Sequence, residues 1–192
     1  MKKVGLTGGI GSGKTTIAHF FEAFGVPIYN ADKEAKRLML RSPIKEEVQA
    51  LLGTASYDSS GALNRSYIAA QVFNDSSLLK QLNQIVHPRV HEDFISWANR
   101  QSGAYVLYES AILFESKNYS DYIDATILVT APLADRIARL KKRDRATEEQ
   151  IKARMENQWP DERKIDLADW VIENENLDFS REKAAEIHTY LV

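Results

Sequence analysis

Short apolar runs alternate along this chain with longer stretches of helical period. Residues 2–7 are small and apolar apart from their lysines, as in a short buried strand. Ile17, Phe20, Phe21 and Phe24 then recur at i, i+3, i+4 and i+7, one face of a helix that Gly25 closes. Residues 27–30 are short for a strand, but their place after that helix makes them the second strand of a βαβ unit. A mostly helical region follows. Glu34, Ala35, Leu38 and Met39 mark one helix, for which Asp32 is a candidate cap. Ser42-Pro43 opens another, with Val48, Leu51 and Leu52 on its apolar side and Gly53 at its end. Residues 54–63 are polar and small, a loop. Asn64 is a candidate cap for a helix with Tyr67, Ile68, Gln71, Val72 and Phe73, and Asp75-Ser-Ser opens one carrying Leu78, Leu79, Leu82, Ile85 and Val86. His87-Pro88 is expected to interrupt it, the pattern resuming at Val90, Phe94 and Trp97 as far as Gly103.

Residues 104–108 form a strand ending in Glu109, and residues 123–129 another, β-branched and apolar. Pro132 starts a basic helix with Arg136, Arg139, Lys141, Lys142, Arg143 and Arg145. Thr147-Glu-Glu-Gln150 has capping-box spacing and begins a helix that Trp159-Pro160 stops. Residues 168–172 are the last strand and 178–191 a final amphipathic helix with Ala184, Ala185, Ile187 and Leu191. Strands alternating with helices predict an α/β fold with a parallel sheet flanked by helices. The expected core is 1–31, 103–131 and 167–192, interrupted by a helical insertion at 32–102 and a basic helical one at 132–166. Two insertions suit an enzyme with flaps over one site.

Bulk properties narrow the function classes. The chain has 192 residues, a net charge of −2 and no cysteine. Its near-neutral balance gives no whole-protein reason to expect nucleic acid, and without cysteine there is neither a disulfide nor a thiolate metal site. No apolar signal region follows Met1-Lys2-Lys3, and no long uncharged apolar run occurs, so neither secretion nor membrane insertion is expected. A cytoplasmic protein, monomeric or a small homo-oligomer, is the expectation.

Between the first strand and helix, Gly8 to Thr15 satisfies G-x-x-x-x-G-K-[ST], the P-loop. Its glycines let successive backbone N–H groups face one anion, at the start of a helix whose dipole favours phosphate. Lys14 brings a compact positive charge to the β- and γ-phosphates, and Thr15 offers a hydroxyl to Mg²⁺. Glu109, at a strand end, could orient that ion through water. The residues following the second strand face the ligand crevice of an open α/β sheet, so Asp32 is a candidate general base, or merely a helix cap. Arg139 and Arg143 share a helix face and could stabilise charge on phosphate oxygens, or belong to a solvated surface. Asp58-Ser-Ser-Gly61 matches a GTPase D-x-x-G, but in a polar loop with no strand before it, and N-K-x-D is absent. His87 and His91 are four apart with Pro88 between them, without the H-E-x-x-H of a zinc site. Trp97, Trp159 and Trp170 are expected in the core.

Several segments together resemble one family, the dephospho-CoA kinases: Gly5 to Thr15, Asn30-Ala-Asp32, His87-Pro-Arg-Val90, Ile112-Leu-Phe-Glu115, Arg139-Leu-Lys-Lys-Arg-Asp144 and Ala168-Asp-Trp-Val-Ile-Glu-Asn174. They occur in the family's order and span nearly the whole chain. The resemblance implies a P-loop kinase whose helical insertion binds the acceptor and whose basic insertion is a lid. It further implies ATP-dependent phosphorylation of the ribose 3′-hydroxyl of dephospho-CoA, with Mg²⁺. Asp32, Lys14 and Arg139 then carry catalysis, Asp32 as base. Gly8, Gly9, Gly11, Ser12, Gly13, Lys14, Thr15, Thr16, Arg143 and Asn174 bind ATP, and Thr7, Asp32, His87, Leu113, Phe114 and Glu115 lie on the acceptor side. Three positions depart from the family pattern. Asn30 stands where Asp is common, Ser110-Ala-Ile-Leu-Phe-Glu115 lacks a proline, and a glycine expected after Asn174 is missing. Other small-molecule kinases, for nucleosides, nucleotides or shikimate-like acceptors, and a regulatory ATPase are the alternatives.

Overall fold

β-branched and apolar runs too short to be helices pair side by side when each is followed by a helix that returns the chain, and the computed structural model has this arrangement. It describes every residue except Asn74 and Lys117, and of Phe73 the backbone alone, so the apolar side chain expected of Phe73 lies outside the described residues. The strands are β1 (Lys2–Thr7), β2 (Ile28–Asn30), β3 (Tyr105–Glu109), β4 (Ala125–Thr130) and β5 (Trp170–Glu173), all parallel, in the order β2-β3-β1-β4-β5. The expected parallel α/β sheet is therefore present. β1 lies at its centre, where the strand order turns back, the position at which open α/β sheets bind ligands beyond their carboxyl ends. Register brings Leu6, Glu109 and Asn30 level at that edge, with Thr130 level with Glu173 on the other flank.

The chain divides into two units. One comprises Met1–Asn30 and Arg100–Val192 and contains the sheet. Helices α1 (Lys14–Ala23) and α9 (Leu177–Leu191) cover one of its faces, burying Ile17, Phe21, Ala184, Ile187 and Leu191 against Val4, Leu6, Leu107, Ile127 and Val129. Helix α1 ends as expected at Gly25 (φ 82°), where Gly25 N–H bonds Glu22 O and Val26 N–H bonds Phe21 O. Between β4 and β5 lie α6 (Leu133–Asp144), α7 (Glu148–Glu156) and α8 (Asp161–Ile165). Thr147 and Gln150 form the expected capping box of α7. Helix α8 is a single short turn after Trp159-Pro160 that periodicity does not reveal.

The second unit, Ala31–Asn99, is helical: α2 (Ala31–Leu38), α3 (Ile44–Leu52), α4 (Arg65–Phe73) and α5 (Ser76–Ala98). Asp75 caps α5 through the N–H groups of Ser77 and Leu78, and the Asn64 side chain accepts from Tyr67 N–H. Asp58-Ser-Ser-Gly61 is a tight turn in which the Asp58 carboxylate accepts from Ser60 and Ala62.

Three expectations change. Asp32 is not a cap, because the helix already starts at Ala31 and Asp32 lies in its first turn. The tryptophans are half-buried rather than core: Trp97 stacks on Phe94, Trp170 meets Tyr190 edge-on, and the Arg163 guanidinium lies 3.3 Å from the Trp159 ring centre. Nor does His87-Pro88 interrupt α5, which runs 23 residues with Pro88 inside it. Leu82, Val86, Val90, Phe94 and Ala98 form one buried stripe through the proline, while Pro88 and Gln84, whose carbonyl Pro88 cannot bond, are both exposed. Packing along the stripe outweighs one missing hydrogen bond.

Pro88→Ala restores that bond and removes the ring, and should raise stability by about 1–3 kcal/mol in urea denaturation. An unchanged or lower midpoint would show that α5 has already recovered the loss.

Candidate active site

The loop between β1 and α1 curls because its glycines allow it. Gly8, Gly11 and Gly13 have φ of 154°, 83° and 94°. Gly13 is the left-handed residue that starts α1, and a Cβ there would run into the Asn174 amide. Each carbonyl from Gly8 to Gly13 meets a donor from the protein. Gly8 O accepts from Lys14 Nζ (2.7 Å), Gly9 O from Ser12 N–H, and Ile10 O from Arg136 Nε (3.0 Å). Gly11 O lies at the 3.5 Å limit from Arg139 Nη1, Ser12 O accepts from Arg139 (3.2 Å) and Asn174 (2.8 Å), and Gly13 O accepts from Thr16 and Ile17 N–H. The N–H groups of Gly11, Gly13 and Thr15 have no acceptor among the described residues, leaving donors at a helix N-terminus for an anion. Thr7 Oγ1 and Ser12 Oγ are buried beside them, also without a partner among those residues.

The end of β3 supplies the acid. Thr15 Oγ1 donates to Glu109 Oε1 (3.1 Å), and Asn30 Nδ2 to Glu109 Oε2 (2.7 Å). Register explains the second contact, since Asn30 and Glu109 are partners in the sheet. No group of three His, Cys, Asp or Glu side chains among the described residues could hold a metal alone. One hydroxyl beside one carboxylate fits a Mg²⁺ ion that takes its remaining ligands from water and phosphate.

Of the two arginines expected to act together, the structure brings only Arg139 to the loop. Its Nη2 also donates to Asn174 O (2.8 Å), whereas Arg143 is held by Asp144 of its own helix (2.7 and 3.1 Å). Asn174 is buried, with its N–H on Thr130 O and Ser180 Oγ at 3.3 Å from its Oδ1. Arg136 was not singled out from the sequence. Its guanidinium lies where a Gly9 side chain would project and pairs with Asp161 at 2.8 Å. In the segment after β3, Leu113 and Phe114 are buried. Glu115 Oε1 accepts from Trp159 N–H (3.0 Å) and lies 3.1 Å from Lys164 Nζ, which is fully buried. This pair ties the otherwise largely exposed helix α8 to the segment after β3.

In the helical unit, Asp32 is exposed in the first turn of α2 and His87 lies on α5, which packs against α2. Burial pushes the His87 imidazole below its ordinary value, while the Asp32 carboxylate pulls the other way.

A family model described as dephospho-CoA kinase matches residues 2–178. A Bacteroides fragilis protein named dephospho-CoA kinase is 41% identical over 175 residues, covering 90% of this chain and 84% of its own. One of the same name from Salinibacter ruber is 39% identical over 193 residues, covering 98% and 96%. The crystal structure of a Thermus thermophilus protein is similar at 33% identity with a TM-score of 0.88, covering 100% of this chain and 98% of that one.

The lowered His87 value has a consequence for stability. Its contribution is complete above the unfolded value of about 6.5 and is lost as pH falls through the lower folded value, because the native state resists the proton. His87→Gln should flatten this part of the acid limb in denaturation midpoints measured from pH 7.5 to 5. An equally steep limb in the variant would assign the loss to other groups.

Proposed function

The chain belongs to the dephospho-CoA kinase family, and from that premise we propose how its residues move a phosphoryl group from ATP to the ribose 3′-hydroxyl of dephospho-CoA, the last step of coenzyme A synthesis. The observation that carries the reading is the Thr15–Glu109–Asn30 chain at the foot of a loop whose carbonyls are all engaged and whose donors at Gly11, Gly13 and Thr15 remain available.

The loop N–H groups bind the polyphosphate, and Lys14 exchanges its contact with Gly8 O for the β- and γ-phosphates. Thr15 and, through water, Glu109 would hold Mg²⁺, which when bound neutralises charge on the β- and γ-oxygens. Arg139 offers guanidinium donors to the transferring group, with Arg143 as a second cation on the basic segment 132–166, the lid. Asn174 supports the nucleotide side. The helical unit takes the acceptor. There Asp32 accepts the 3′-hydroxyl proton as the oxygen attacks, with His87 of the same unit on the acceptor side. ADP leaves, and the proton passes from Asp32 to solvent. No described helix is long and apolar enough to cross a membrane, and we place the enzyme in the cytoplasm, where ATP is plentiful.

ADP release should depend on dephospho-CoA and be far slower with shikimate, nucleosides or no acceptor. Hydrolysis independent of acceptor would instead indicate a regulatory ATPase. Asp32→Asn should keep ATP affinity and lose about 100-fold or more in turnover, and wild-type turnover would reject the base assignment. Lys14→Ala should weaken ATP binding and lower kcat together; unchanged kinetics would remove the lysine from the phosphate site.

A further inference from the structure

One residue of the phosphate loop, Ile10, is held on both sides by the ends of the segment between β4 and β5. Ile10 O accepts from Arg136 Nε (3.0 Å), on the first turn of α6, and Ile10 N–H donates to Gln158 Oε1 (2.8 Å), just beyond α7. The Gln158 amide is itself two-sided, its Nε2 donating to Ala111 O (3.2 Å), two residues past Glu109. Only one orientation of that amide satisfies both contacts.

The next residues after Gln158 are anchored too. Trp159 N–H is held by Glu115, and Arg136 pairs with Asp161. Both ends of the segment are thus tied to Ile10, through Arg136 at its start and Gln158 at its return. Arg143 and Arg154, between these points, pair with Asp144, and Lys141 with Glu148, all of the same segment.

Thr15 marks the helix end of the loop, whereas Ile10 is its crest, farther along the path from α1 to β1. Gln158 joins that crest to the strand end bearing Glu109, the side on which a terminal phosphate meets its metal ligands. We propose that Gln158 is a positioning residue for the γ-phosphate: it holds the loop crest and the segment after Glu109 at one spacing and makes that spacing depend on the return end of the segment 132–166. It touches neither the adenosine nor the α- and β-phosphates. This rests on the P-loop kinase reading.

Isothermal titration with ADP and with a non-hydrolysable ATP analogue, both with Mg²⁺, tests it. Wild type must bind both; failure there overturns the nucleotide-site reading rather than the role of Gln158. Gln158→Ala should bind ADP within about twofold of wild type and the analogue about tenfold more weakly, with kcat falling by a similar factor, as for loss of a hydrogen bond or two. Gln158→Glu keeps an acceptor for Ile10 but cannot donate to Ala111 O, and should show the same selective loss. Equal weakening of both ligands in Gln158→Ala, no weakening, or wild-type behaviour of Gln158→Glu each overturns the proposal.

Discussion

A loop that binds phosphate through its backbone must leave some of its own N–H groups unpaired, so it cannot be held together by the hydrogen bonds that hold a helix or a strand. It has to be held through its carbonyls instead. From Gly8 to Gly13 each carbonyl has a donor, and side chains of Lys14, Arg136, Arg139 and Asn174 supply four of the six sites. That constraint accounts for features that otherwise look unrelated. Asn174 is buried at the end of β5 because its amide must reach Ser12 O. Gly13 lacks a side chain because that amide occupies the space, and Gly9 lacks one because Arg136 lies over it.

The sheet is what delivers these donors. With β1 between β3 and β4, the loop after β1 is flanked by the ends of β3 and β4, and β5 follows β4 at the same level. Glu109 therefore reaches Thr15 from one side, while Arg139 and Asn174 reach Ser12 from the other. The buried Glu115–Lys164 pair extends this arrangement. Removing a lysine from water is unfavourable unless it is paired, and pairing here locks α8 to the segment after β3. The pair's value lies in fixing where the return end of the basic segment sits more than in net stability.

The parallel sheet, the phosphate loop and most helix boundaries were legible in the sequence because each depends on local spacing. The apolar face of α1 repeats within ten residues, and Thr147 to Gln150 is a complete cap by itself. What escaped depends on distant partners. Arg136 looks like any other member of a basic run until the fold places it over Gly9, and Gln158 contacts residues 148 and 47 positions away. Helix α8 is too short for a period to show. Pro88 misled in the opposite sense, because a local rule about proline was overridden by a buried stripe extending across it. Among the residues named for the site, Arg139 and Arg143 share a spacing yet differ in surroundings, since an adjacent Asp144 holds one and loop carbonyls hold the other.

Asn30 shows how a departure from a family pattern can be read physically. Its sheet partner is Glu109, and its amide nitrogen lies 2.7 Å from Glu109 Oε2. An aspartate in the same pose would set two carboxylates against each other, a contact that requires a shared proton or a cation between them. The amide needs neither. It satisfies one oxygen of Glu109 and leaves the other to accept from Thr15 Oγ1, so both carboxylate oxygens have a donor. The asparagine at position 30 therefore holds Glu109 in place beside Thr15 at the foot of the phosphate loop.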